Sequence, residues 1–110
     1  MILDPDVAAA AKHFGLDPRL VQAVCKAEGN ILKAVQCSIP SIHTREQALD
    51  VLCRSCVHAM SDFIQLSPTE RSNFVSFWAA RWAPEGAAND PTSLNANWPV
   101  NVLKFWTGGA

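Results

Sequence analysis

Apolar residues recur at offsets of three and four along most of the chain, and Asp-Pro, Gly and Pro punctuation cuts that periodicity into short helices. Asp4-Pro5 offers an N-cap followed by proline at the first helical position; the alanine-rich run that follows continues to Phe14 and stops at Gly15. Asp17-Pro18 repeats the device and predicts a helix to Glu28, ended by Gly29. A shorter apolar stretch, Ile31 to Val35, breaks before Pro40. Thr44 and Gln47 form a capping box that opens the longest periodic segment, ending near Leu66. Ser67, Pro68 and Glu70 make another box, and that helix is expected to run to about Trp82, because Pro84 discourages helix at Ala83. Glu85 to Asn97, rich in Asn, Ala, Gly and Pro, reads as loop with one turn after Asp90-Pro91. A last short helix from Trp98-Pro99 carries Val102, Leu103, Phe105 and Trp106, before Gly108, Gly109 and Ala110 fray. No run alternates long enough for a strand. The expected fold is all-α: one compact domain over residues 1–110, built from five or six short helices.

Composition narrows the function classes. A chain of 110 residues fits one domain. With 49% hydrophobic and 17% charged residues it has the material for a core and is not a disordered tail. Nine Lys plus Arg against ten Asp plus Glu give a formal net charge of -1, which argues against a nucleic-acid module and against a polybasic membrane clamp. No apolar run approaches the length of a membrane span, and Met1 to Pro5 lacks the basic and apolar regions of a secretory signal. Cysteines stand at 25, 37, 53 and 56. Cys53 and Cys56 have local metal-ligand spacing, but Leu49, Leu52, Cys53, Cys56, Met60 and Phe63 fall on one helical stripe, where free thiols behave as small hydrophobes. Buried thiols are the expected outcome, with a disulfide or the zinc site of a zinc-stabilised regulator the alternatives. No cofactor or metal is expected.

Glu28 is the most informative residue. With about 100° per residue and Leu20 at zero, Glu28 lands at about 80°, inside the apolar arc formed by Val24, Val21 and Cys25. An acid on that side is unusual, and the last helical turn carries partial negative charge. Desolvation and the dipole both disfavour the ionised form, so the carboxyl is expected to hold its proton, as a glycosidase acid must. The bland reading pairs Glu28 with Lys26, Lys33 or a distant Arg. Arg81 is a second charge in an apolar arc, among Phe74, Phe77, Trp78 and Trp82. It either snorkels over aromatic surface or pairs with Glu28, Asp62 or Asp90 and holds the site geometry. Asp50, Arg54, His58 and Asp62, spaced by four, read as a solvated ion-pair stripe.

The segment Gly15-Leu16-Asp17-Pro18-Arg19-Leu20-Val21-Gln22-Ala23-Val24-Cys25-Lys26-Ala27-Glu28 resembles the opening of lysozyme-like lytic transglycosylases and goose-type lysozymes. Ala34 to Pro40 resembles the family's Gly-Leu-Met-Gln segment. The block from Phe77 to Trp106, with Arg81-Trp82-Ala83-Pro84, Ala88-Asn89-Asp90-Pro91 and Asn95-Ala96-Asn97-Trp98, resembles the closing part of small phage-encoded muramidase-like or virion-associated proteins. The resemblance implies a lysozyme-like helical fold, with Glu28 as the catalytic acid and Gln36 lining a glycan cleft. Trp82 and Trp98 flank the Asn-rich loop and could stack on sugar faces, while Asn89, Asn95 and Asn97 could hydrogen-bond glycan hydroxyls or acetamido groups. The chain departs from the family in having Gly29 after the acid where Ser is usual, a shorter gap from Glu28 to Gln36, and no tyrosine.

Two function classes follow. One is a peptidoglycan-directed muramidase or lytic transglycosylase using Glu28 as a single general acid. The other is a catalytically inactive phage structural or assembly module that keeps the helices and meets its partner through Trp98, Phe105 and Trp106. The expected partner is a glycan strand or another phage or host protein, with oligomers possible. The expected location is the host cytoplasm or the virion.

Overall fold

Local capping sets most of the helix starts. The computed structural model describes residues 2–70, 73–83 and 94–107. Helix α1 (Pro5–Phe14) starts where the Asp4 carboxylate accepts from the Asp6 and Val7 amides, and ends at Gly15, whose φ of 69° closes the left-handed cap. Helix α2 (Pro18–Glu28) repeats the arrangement from Asp17. Helix α3 (Ile31–Gln36) is capped by Asn30, and α4 (Arg45–Ile64) opens with a complete Thr44–Gln47 capping box. Helix α5 is Phe74–Trp82; a 3₁₀ turn at Leu94–Ala96 then leads into α6 (Asn97–Trp106). Among the described residues there are six α-helices and no strand, so the all-α expectation holds.

Two boundaries differ from the sequence pattern. Ser67 and Glu70 make only half of their box: the Ser67 amide and hydroxyl donate to the Glu70 carboxylate at 3.1 and 2.7 Å, but the Glu70 amide donates to the Ser67 carbonyl and closes a turn. Helix α5 begins seven residues after Ser67, where Asn73 Oδ1 accepts from the Ser76 amide at 2.8 Å and supplies the effective cap. Helix α6 begins one residue earlier than Trp98, at Asn97, because the 3₁₀ turn already sets its backbone direction. The turn expected at Asp90-Pro91 lies outside the described residues.

Helix α2 is the centre of the packing. It lies most extensively against α6 and also against α1, while α4 gathers α1, α3 and α5 on its other flanks and α5 closes on α6. Leu20, Val21 and Val24 of α2 meet Val7, Leu49, Leu52, Val75, Trp78 and Val102 in one continuous core. Cys53 and Cys56 are buried in it as free thiols. Met60, expected on the same stripe, is instead 37% exposed; Ala59 takes the inward position as the stripe drifts around the longer helix. Burial pushes the Cys53 thiol up to about 11 and that of Cys56 to about 12.

A second tie is polar. Gln22 is buried on α2, and its amide oxygen accepts from the Asp4 backbone at 2.6 Å while its nitrogen donates to the Ile2 carbonyl. Asp4 also binds Arg45 at 3.0 Å, which joins the start of α1 to the start of α4 and holds the Asp4 carboxyl below the usual carboxylate range. No helix among the described residues is long and apolar enough to cross a membrane.

Candidate functional site

Helix α2 delivers Glu28 as its final residue, and Gly29 turns the chain away immediately after it. Gly29 adopts φ 77° and ψ -53°, a backbone conformation that L side chains rarely tolerate. Its amide still closes the helix by donating to the Cys25 carbonyl at 3.0 Å. Asn30 then caps α3, so the acid stands at a sharp corner between two helices.

The carboxylate is met there by two tryptophans from distant parts of the chain. The Trp82 indole N–H, from the last turn of α5, donates to Glu28 Oε1 at 2.9 Å. The Trp98 indole N–H, from the first turn of α6, donates to the same oxygen at 2.7 Å. Glu28 and Trp82 are half-buried, whereas Trp98 is only 6% exposed. Trp78 backs the group: its ring lies edge-on to Trp98 at 5.6 Å and tilted to Trp82 at 6.3 Å, with its own N–H bound to Ser55 Oγ. Three indoles therefore form a wall, and two of them aim their donors at one carboxylate oxygen.

Among the described residues Glu28 has no ion pair; neither Lys26, Lys33 nor any Arg reaches it. Lys26 lies over the Phe105 ring, 5.7 Å from its centroid. The acid is thus held by neutral donors, and Oε2 has no protein partner among the described residues.

The other residues singled out by sequence scatter. Arg81 pairs with Asp62 on α4 and covers the Phe77 ring at 4.7 Å, so it ties α5 to α4 on the surface and does not touch Glu28. Gln36 turns its amide into the following loop, donating to the Ile42 carbonyl at 2.9 Å. Asn95 is half-buried in the 3₁₀ turn leading to Trp98. Asn89 lies outside the described residues. Trp98, expected at a partner surface, is buried. Trp106 donates to Asp17 Oδ2 at 3.0 Å and fastens the end of α6 to the cap of α2. Among the described residues no group of three His, Cys, Asp or Glu side chains is placed to hold a metal ion.

A groove of about 940 Å³ opens elsewhere, between α1 and the start of α4, with Ala10, Phe14, Ile42 and Leu49 in its lining and Asp6 and Glu46 among its polar groups. Glu28 does not line it. No protein-family model matches the chain, and neither the curated proteins nor the solved structures contain a match.

Proposed function

We propose that the protein is a peptidoglycan-directed glycan-cleaving protein of the muramidase or lytic transglycosylase kind, with Glu28 as its general acid. The observation that carries the reading is a carboxyl group at a helix end, unpaired by any cation among the described residues, with one oxygen held by two indole N–H groups. The resemblance of Gly15 to Glu28 to the opening of lysozyme-like transglycosylases supports the same role. In the reaction, the Glu28 proton passes to the glycosidic oxygen, the bond from that oxygen to the anomeric carbon breaks, and a sugar cation is left. Water or the sugar's own hydroxyl attacks the cation, and the proton it releases returns to the Glu28 carboxylate. One acid serves both halves, so no second carboxylate is needed. Asn95 and Asn97, at the entrance to α6 beside Trp98, are the described residues that this reading assigns to glycan hydroxyls.

A turbidity assay on purified cell walls tests the proposal. Wild-type protein clears the suspension, and Glu28→Gln lowers the rate by about 10²-fold or more, the usual worth of a positioned general acid. Equal clearing by the two proteins removes Glu28 from the chemistry.

A second reading, an inactive phage assembly module, is favoured by one specific observation. Glu28 connects α2 to both α5 and α6, which is a job a purely structural residue could hold. It predicts no clearing by either protein and a stable complex or oligomer by light scattering.

A further inference from the structure

We infer that Trp82 and Trp98 act as a paired clamp that fixes which oxygen of Glu28 carries the proton. Both are positioning residues, and the acidic proton resides on Oε2. The inference rests on the proposed general-acid role for its catalytic consequence, though the clamp itself is testable without activity.

Hydrogen-bond capacity decides which oxygen carries the proton. An indole N–H donates and never accepts. Two such donors, at 2.9 and 2.7 Å, converge on Oε1, and they use the acceptor directions a carbonyl-type oxygen offers. A proton on Oε1 would occupy one of those directions and face an N–H that cannot accept it. The protonated side chain therefore keeps Oε1 as its carbonyl oxygen and presents the hydroxyl from Oε2, which has no partner among the described residues. The four indole groups divide cleanly: Trp78 donates to Ser55 and Trp106 to Asp17, leaving only Trp82 and Trp98 on the acid. The clamp is anchored on two separate helices, α5 and α6, so it also restricts rotation of the carboxyl about its terminal bond. That is the orientation a proton donor needs toward a bound glycosidic oxygen. Trp82 and Trp98, expected to stack on sugar faces, turn their N–H groups onto the acid and form part of its support.

The test is an acid titration of the uniformly labelled full chain, followed by the indole proton resonances and by the Glu28 side-chain carbon. Glu28→Ala supplies the reference positions of Trp82 and Trp98 without their acceptor. As the Glu28 carbon reports protonation, the two indole resonances should stay clearly downfield of those reference positions, with Trp78 unmoved. Collapse of either resonance onto its Glu28→Ala position as the carboxyl protonates would overturn the assignment. If wild type clears cell walls, Trp98→Phe and Trp82→Phe should each lower kcat about tenfold with KM nearly unchanged. An unchanged kcat in both would overturn the positioning role. If wild type clears nothing, the general-acid reading fails, and the oxygen assignment still stands or falls on the titration.

Discussion

Replacing Glu28 by alanine and by glutamine separates what the side chain holds from what it does. Alanine strands two indole donors. The Trp98 N–H is buried, so losing its acceptor costs about 1–3 kcal/mol; the half-buried Trp82 N–H can recover water and contributes less, about 0.5–1 kcal/mol. The one half-buried methylene that alanine removes adds roughly 0.4 kcal/mol. Glutamine keeps both side-chain methylenes. Glutamine also keeps an oxygen for both indoles, with its NH₂ in the Oε2 position. Glu28→Ala should therefore be about 2–4 kcal/mol less stable than wild type, and Glu28→Gln within about 1 kcal/mol of it. Urea unfolding followed by far-UV circular dichroism and tryptophan fluorescence measures both; the alanine protein should melt on the order of 10 °C lower. Equal stabilities for the two variants would show that the indoles do not depend on Glu28 as an acceptor, and the reasoning would fail.

Other outcomes follow from the same contacts. Gln22→Ala should free the segment before α1, cost about 1–2 kcal/mol, and raise hydrogen exchange at the Asp4 amide, which loses its acceptor. Because Arg45 lowers the folded Asp4 carboxyl relative to its unfolded value, that contribution is complete above the unfolded value and disappears as pH falls through the folded one. Arg45→Met should accordingly show a smaller drop in urea midpoint between pH 5 and pH 3 than wild type. Cys37 is exposed and should react at once with a thiol reagent, whereas Cys53 and Cys56 should react only on the timescale of unfolding. The raised folded values of those two thiols add stability below the unfolded thiol value, and it is lost as pH rises through about 11 to 12. A urea midpoint that stays flat from pH 9 upward would contradict that burial.

What could be read in the sequence was what is local. Asp4, Asp17 and Thr44 cap helices through backbone groups two or three residues away, so their starts are written in adjacent letters. The α5 start is ambiguous in the sequence because two caps compete within seven residues, and the Ser67–Glu70 pair hydrogen-bonds across a turn while Asn73 caps the helix. Helical periodicity placed Glu28 on the inward arc of α2, but periodicity carries no information about what meets it. Its partners are 54 and 70 residues away, brought in by α5 and α6. For Arg81 the sequence offered three acids, and the choice of Asp62 follows only from how α5 lies on α4. Gln22 escaped notice because a buried amide leaves no periodic signature; its acceptor and donor are the backbone of residues 2 and 4.

The most direct measurement is mass spectrometry of purified glycan strands after incubation with wild-type protein and with Glu28→Gln. Wild type should release short products, with an anhydro end if the sugar's own hydroxyl attacks and a reducing end if water does. The glutamine protein, folded and of similar stability, should release about a hundredth as much or less. Intact strands with wild type, or equal release by both proteins, would contradict the assignment of Glu28 as the acid.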